Sequence, residues 1–109
     1  MEQEAAIQAF AALAQESRME IYRLLVREEP SGLQVGEISR QLNIVPSTLS
    51  GHLAVLKRAG LLKSTRHQRE IHYAANLQAM GDLVRFMLED CCGGQVENCS
   101  KIVSLLKNC

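Results

Sequence analysis

Residues 42–62 read "LNIVPSTLSGHLAVLKRAGLL" and carry the signals that decide the local fold. Pro46 suits the first position of a helix, because a backbone N–H there would have no intrahelical partner. Leucines then follow at helical spacing and predict one buried face: Leu49, Leu53 and Leu56. Gly60 is a typical C-terminal stop. The stretch therefore predicts an amphipathic helix whose leucine face is buried and whose opposite face is exposed and available for binding.

Helical patterns also precede this stretch. The first covers about 3–15, with Ile7, Phe10, Ala11, Leu13 and Ala14 at helical spacing. Ser17 to Glu20 has the pattern of a capping box, which predicts the start of a second helix there. Pro30 and Gly32 interrupt that helix. A third helix is expected from about Val35 to Leu42, so a short turn at Asn43 and Ile44 separates two helices.

After Gly60 the hydrophobic pattern changes to that of strands. Two short strands are expected at 61–65 and 70–74, with "RHQR" at 66–69 as the hairpin tip. A long apolar helix at about 76–90 and a short helix within 99–107 complete the prediction. The order favours a mainly α winged helix-turn-helix with five to six helices and a two-stranded β-hairpin. The long helix is too apolar to stand alone, which suggests a dimer.

The charges of the 109-residue chain are segregated although its net charge is zero. Residues 40–73 hold six basic residues and one acidic residue, which gives a net charge of +5. Residues 1–37 hold three basic and seven acidic residues, which gives a net charge of −4. The basic middle suits a polyanion. The chain has no apolar run long enough for a bilayer and no basic n-region, so a cytoplasmic protein with no membrane partner is expected. No Cys/His/Asp arrangement for nucleophilic catalysis is visible, so an enzyme is not expected.

The free face of the helix at 46–59 is chemically suited to DNA. Short hydroxyls and a glycine let a helix settle into the major groove. The residues expected to face the groove are Ser47, Thr48, Ser50, Gly51, His52 and Lys57. Arg58 is expected at phosphate, and Arg66, His67 and Arg69 at a flanking backbone or minor groove. The alternative is that the hydroxyls only start a helix and that the arginines are a solvated face.

Three stretches in this order resemble the ArsR/SmtB family of metalloregulators: "LAQESRMEIYRLL" at 13–25, residues 42–62, and "REIHYAAN" at 69–76. The resemblance covers about residues 5–90. It implies a homodimeric transcriptional repressor whose first and last long helices form the dimer interface. It also implies that a metal, a metalloid or a change in thiol state releases the operator DNA.

Members of the family have their sensor sites at several positions, and two of these sites lack their ligating residues in this chain. One site needs a Cys-Val-Cys pattern, where Gln34-Val35-Gly36 stands here. Another needs Asp-x-His on the dimer helix; Asp82 is present, but Val84 replaces the histidine. No histidine follows His72, so the later half of that site is missing as well.

All four cysteines lie at or after Cys91, which leaves a cysteine-rich sensor tail at 91–109 behind a DNA-binding and dimerisation domain at 1–90. Thiolates select soft ions, and trivalent arsenic or antimony takes three sulfurs. Gly93-Gly94 permits a chain reversal that brings Cys99 to the adjacent pair Cys91 and Cys92. The tail resembles that of arsenite-responsive family members with a vicinal cysteine pair. The expected inducer is therefore As(III) or Sb(III), with no organic cofactor.

Other uses of the thiols stay open. Cys109 can supply a fourth sulfur, and four thiolates favour Zn(II) or Cd(II). A methylated arsenical needs only Cys91 and Cys92. Oxidation or persulfidation of the same thiols would make a redox-responsive repressor. The cysteines can also be incidental small hydrophobic residues. A metallochaperone or thiol enzyme on the same scaffold is the alternative from another functional class.

Overall fold

The computed structural model describes residues 1–88, which form five helices and one three-stranded sheet. The helices are α1 (Gln3–Leu13), α2 (Glu16–Arg27), α3 (Val35–Leu42), α4 (Pro46–Arg58) and α5 (Leu77–Leu88). The strands are β1 (Leu33–Gln34), β2 (Leu62–His67) and β3 (Glu70–Ala75). The mainly helical fold with a β-wing is confirmed. The predicted end of the last long helix and the helix within 99–107 lie outside the described residues.

The start of α2 differs from the prediction. The helix begins at Glu16, so Ser17 lies within its first turn, and the capping box from Ser17 to Glu20 is wrong. Gln15 is the N-cap residue: its backbone is extended, and its side-chain oxygen accepts a hydrogen bond from the Arg18 N–H at 2.8 Å. A glutamine thus does what Ser, Thr, Asp or Asn more often does at this position.

The sheet has one more strand than expected, in the order β1-β3-β2 and antiparallel throughout. β1 pairs Leu33 with Tyr73 and Gln34 with His72. Gly32 leads into it with φ of +70°, and a Cβ there would overlap the carbonyl oxygen of Tyr73. Only glycine meets both conditions without strain. A two-residue strand has no period to read, which explains why the sequence did not reveal it.

The wing is longer than predicted, and its tip is shorter. Arg66 and His67, expected in the tip, belong to β2 and pair with Ile71 and Glu70. The tip is therefore Gln68 and Arg69, with Gln68 in the left-handed region at φ of +61°. A two-residue loop with positive φ matches the twist of the flanking strands, so the pairing can continue to the tip.

The core is aliphatic and centres on α4. Its most deeply buried large side chains come from α2, α3, α4 and the start of the wing: Ile21, Leu25, Ile38, Leu49, Leu53, Leu56 and Leu61. The leucine face predicted for α4 is confirmed. Each of its leucines is at most 1% exposed, so α4 is fixed along its inner face while its outer face is free.

The inner face of α1 is not the one expected. Alanines and a leucine face the core: Ala6, Ala9, Ala12 and Leu13. Ile7 and Phe10, predicted as part of the apolar stripe, are 57% and 43% exposed. Small residues let α1 approach α2 and α4 closely, and this packing turns the larger side chains outward. In α5, Leu83 is buried while Val84 and Met87 are exposed.

No helix within the first 88 residues combines the length and the apolar character that crossing a bilayer requires.

Candidate nucleic-acid interface

Helices α3 and α4 form a helix-turn-helix whose turn is held by short-range contacts. Asn43 ends α3 in the left-handed conformation, at φ of 55°. The Ser39 hydroxyl donates to the Ile44 carbonyl at 2.6 Å, and the Ile44 N–H donates to the Ser39 carbonyl at 3.2 Å. These bonds fix the angle at which α4 leaves α3. Asparagine tolerates the left-handed region better than most residues, which suits it to this turn.

The outer face of α4 carries the predicted groove-facing residues. With Arg58, which was predicted at phosphate, they make seven residues, and six of the seven are exposed: Ser47, Thr48, Ser50, Gly51, Lys57 and Arg58. Gly51 has open space where a Cβ would stand, so packing within the chain does not require a glycine there. Glycine inside a helix is less stable than alanine by about 0.5–1 kcal/mol. The fold therefore gives no reason for a glycine at Gly51, and its close approach to DNA stays a prediction from the sequence.

His52 is the seventh residue and is half-buried. The Arg18 guanidinium donates to the Ala12 carbonyl at 2.6 Å and lies 3.4 Å from Nδ1 of His52. Arginine has no acceptor atom, so His52 Nδ1 must accept in this contact. A neutral His52 then carries its proton on Nε2, which leaves that nitrogen as a donor. Sequence reasoning missed Arg18, which lies 34 residues away from its partner.

Lys57 joins α4 to the wing. Its ammonium donates to the Ser64 hydroxyl on β2 at 2.7 Å. This bond ties the position of Lys57 to the wing, and the DNA contact expected of Lys57 stays a prediction. Ser64 was not singled out in the sequence, and no local pattern marks it.

The wing residues predicted to contact DNA are exposed, and two are partly fixed. The Arg66 guanidinium donates to the Gln68 carbonyl across the tip at 3.2 Å. His67 Nε2 lies 3.2 Å from the Thr65 hydroxyl, and the His67 ring packs edge-on against His72 with ring centroids 4.8 Å apart. Arg69 stands in the turn itself. These contacts arrange the side chains of the wing before any ligand arrives.

Most cations of the basic middle segment have no acidic partner in the part of the chain that the structure describes. Within it, the ion pairs are Arg40–Glu37 and Arg85–Asp82, and Nε2 of His72 lies 3.5 Å from the Glu70 carboxylate. The cations without a carboxylate partner are Lys57, Arg58, Lys63, Arg66 and Arg69. Their positive charge is thus available to phosphates rather than neutralised internally.

Val45 is the N-cap residue of α4 and makes no side-chain capping bond. The position favours Ser, Thr, Asp or Asn, and replacing one of these by an apolar residue costs about 1 kcal/mol. Val45 is also 65% exposed. Sequence reasoning passed over it, although an apolar residue directly before Pro46 at a predicted helix start was a visible signal.

No group of three or more His, Cys, Asp or Glu side chains that could hold a metal ion occurs among residues 1–88. Gln34 binds Glu70 at 2.8 Å, and Asp82 contacts Gln78 at 3.4 Å. The two sensor positions that the sequence excluded therefore hold residues engaged in ordinary polar contacts or, at Val84, an exposed apolar side chain. The predicted ligands Cys91, Cys92, Cys99 and Cys109 lie outside the described residues.

A recognition helix with a free polar face, a wing tied to it and unpaired cations define a winged helix-turn-helix DNA-binding protein. Comparisons with known proteins agree. Residues 13–65 match the family described as a helix-turn-helix domain. The uncharacterized HTH-type transcriptional regulator YbzH of Bacillus subtilis is 33% identical, with 74% of this chain and 93% of YbzH covered. The transcriptional activator HlyU of Vibrio cholerae is 34% identical, with 72% of this chain and 73% of HlyU covered.

The solved structure of an ArsR-like transcriptional regulator from Rhodococcus sp. RHA1 superposes with a TM-score of 0.72 at 24% identity, covering 94% of this chain and 92% of that one. The chain belongs to the helix-turn-helix transcriptional regulators and has the fold of their ArsR-like members. The chain is thus a DNA-binding regulator of transcription.

Proposed function

We propose that this protein is a homodimeric transcriptional repressor that As(III) or Sb(III) releases from its operator by binding Cys91, Cys92 and Cys99. The observation that carries the DNA-reading part is the exposed, hydroxyl-rich outer face of α4 beside cations that have no carboxylate partner within residues 1–88. The inducer part rests on the cysteine distribution: all four thiols lie within 91–109, and residues 1–88 offer no metal-holding group. The proposed compartment is the cytoplasm, where thiols stay reduced.

The dimer is supported by an apolar face on the two helices that the family resemblance assigns to it. Exposed apolar side chains lie on α1 and on α5: Ile7, Phe10, Leu77, Val84 and Met87. α1 packs against α5, so these side chains belong to adjoining elements. Large exposed apolar patches in a soluble protein mark an interaction site. A second copy of the same chain would cover both helices symmetrically.

Met87→Glu tests the dimer. Met87 is 56% exposed, so the glutamate leaves the core intact but places a charge in the proposed interface. Sedimentation equilibrium is expected to give a monomer for this variant and a dimer for the wild type. Gln78→Glu adds the same charge at an exposed polar position of α5 and is expected to remain dimeric. A dimeric Met87→Glu would contradict the proposed interface.

The inducer site is proposed to act on α5 through the chain. Two residues, Glu89 and Asp90, separate Leu88 from Cys91 in the sequence. Three thiolates match the three-sulfur coordination of trivalent arsenic and can be supplied by the vicinal pair and Cys99. The thermodynamic requirement is that As(III) binds the DNA-free form more tightly than the DNA-bound form. The tail at 91–109 is thus proposed as a sensor attached to the domain at 1–90.

Titration of the DNA complex with arsenite tests the site. Arsenite is expected to release the wild-type protein in a gel shift, whereas Cys91→Ser, Cys92→Ser and Cys99→Ser variants stay bound. Cys109→Ser is the matched control and is expected to respond like the wild type. If arsenite releases all four variants equally, the ligand assignment is wrong. A protein that needs Cys109 and responds to Zn(II) or Cd(II) instead would identify the four-sulfur alternative.

A thiol-redox or persulfide-responsive regulator is the second candidate, since the same cysteines can be oxidised. It predicts release by peroxide or a persulfide donor and restoration by dithiothreitol, without any metalloid. The relative HlyU is named an activator, so the direction of regulation also needs a test. A reporter gene behind the bound DNA is expected to be expressed less when this protein is present, and more after arsenite.

A further inference from the structure

Val45 is the most exposed large hydrophobic residue among residues 1–88. It stands at the N-cap of α4, and the three residues that follow it, Pro46, Ser47 and Thr48, are exposed as well. Its own carbonyl accepts the Leu49 N–H at 2.9 Å, so its backbone is fixed as part of the helix start. An apolar side chain is therefore exposed at a backbone position fixed by the helix start, close in sequence to the hydroxyls of Ser47 and Thr48.

Neither helix stability nor solubility accounts for this residue. A valine cannot accept a hydrogen bond from the first turn, as Ser, Thr, Asp or Asn would. Its exposed side chain also gains nothing from burial in the chain. Positions where a sequence breaks a local rule without compensation within the fold are expected at functional sites. The other exposed apolar residues on α1 and α5 have the dimer face as their explanation, whereas Val45 lies on the helix-turn-helix.

We propose that Val45 determines part of the sequence specificity by contacting the 5-methyl group of a thymine in the major groove. The N-terminal residues of a recognition helix are those that reach base edges. The thymine methyl is the apolar feature of the major-groove pattern, and an apolar side chain is its natural partner. Ser47 and Thr48, two and three residues further along, are exposed and carry hydroxyls for polar contacts beside it. The inference rests on the proposed DNA-reading face of α4 and is independent of the inducer.

The test isolates one methyl group. A duplex is selected from a random library by the full-length wild-type protein, and each thymine in it is then replaced singly by deoxyuridine, which keeps base pairing and removes only the methyl. At one thymine per half-site, the replacement is expected to weaken wild-type binding about fourfold, the equivalent of one buried methylene. Val45→Ala should bind both duplexes equally and more weakly than the wild type binds the thymine duplex.

Two further variants keep the result interpretable. Val45→Thr retains one methyl group and the branched shape, so it should keep part of the sensitivity to deoxyuridine. Val26→Ala removes the same atoms from an exposed valine on α2, and its binding should keep the full wild-type sensitivity to deoxyuridine. If no thymine replacement distinguishes the wild type from Val45→Ala, the Val45 contact is refuted while DNA reading by α4 stands. If the selection enriches no sequence, specific DNA reading fails and the Val45 contact fails with it.

Discussion

The guanidinium of Arg18 lies 3.4 Å from Nδ1 of His52, so a residue at the start of α2 sets the hydrogen-bonding character of a residue on the recognition helix. Arg18 is itself anchored to the Ala12 carbonyl at 2.6 Å and to the Gln15 side chain through its backbone N–H. The junction of α1 and α2 thus supports the outer face of α4. A neutral His52 consequently carries its proton on Nε2, and an Nε2–H donor suits an acceptor such as a phosphate oxygen or a purine N7.

Replacing Arg18 should change the tautomer of His52. In the wild type, imidazole ¹⁵N–¹H correlation spectra at neutral pH are expected to show the Nε2–H form. Arg18→Met should give a mixture of tautomers, and Arg18→Lys should restore part of the preference because it keeps a donor. The signals of His67 and His72 on the wing serve as the internal control. An Nδ1–H tautomer of His52 in the wild type would refute the contact.

Breaking the bond between Lys57 and Ser64 should weaken DNA binding more than it weakens the fold. Ser64→Ala removes the acceptor of a 2.7 Å hydrogen bond between α4 and the wing. Because the pair is at the surface, the free energy of unfolding should change by no more than about 0.5 kcal/mol. The affinity for the selected duplex should fall about threefold, as expected for one lost hydrogen bond.

Ser31→Ala is the matched control for that experiment, since its hydroxyl donates to the Glu28 carbonyl at 3.3 Å in a loop before β1. Denaturant unfolding and fluorescence anisotropy supply the two readouts. Equal losses of DNA affinity in both serine variants would argue against a specific link between helix and wing.

Gly51→Ala should stabilise the protein and weaken its binding to DNA. A Cβ at Gly51 meets no atom within 4 Å, so the helix gains about 0.5–1 kcal/mol without a clash. The added methyl stands on the groove-facing side of α4 and keeps the backbone from approaching DNA. Gly81→Ala in α5 also has open space and should raise the melting temperature without loss of affinity. Unchanged DNA affinity in Gly51→Ala would remove Gly51 from the interface.

Tyr22→Phe should make the protein more resistant to alkali. The Tyr22 hydroxyl and Glu29 Oε1 are buried and have no hydrogen-bond partner among the described residues. Burial, and secondly the Glu29 carboxylate, raise the pKa of Tyr22 above its usual value of 10.0. The unfolded chain therefore ionises first, so stability is full below about pH 10 and falls as the pH rises through the folded pKa.

Urea unfolding of Tyr22→Phe at pH 8 and pH 11 measures this effect. The variant should lose less stability than the wild type over that interval, and at pH 8 it should gain up to about 1 kcal/mol because an unpartnered hydroxyl is removed. Tyr73→Phe, which removes a hydroxyl from a half-buried tyrosine of β3, is the matched control at both pH values. An identical pH dependence in Tyr22→Phe would show that other groups control alkaline unfolding.

Some elements were predictable because their signals are local. Pro46, the leucines of α4 and Gly60 predicted the recognition helix. The helical period then predicted which of its residues from Ser47 to Lys57 face outward. Other features depended on distant partners. β1 exists because β3 offers it an edge, and the α1 face was misjudged because alanines permit closer packing than Ile7 and Phe10 would. The wing tip was predicted at the wrong residues, because the pairing between β2 and β3, and not local composition, decides where the strands end.

The sequence by itself determined that this chain is a winged helix-turn-helix protein with a basic middle, and that its thiols lie together in the last part of the chain. Periodicity suffices for the order of helices and strands and for the buried leucine face of α4, while the charges and the thiols are read directly from the sequence. Tertiary structure alone decided how the DNA-reading residues are held. Arg18 meets His52 across 34 positions, and Lys57 on the helix meets Ser64 on the wing. Such contacts arise only when α1, α2, α4 and the sheet pack around one core, since nothing local brings those side chains together.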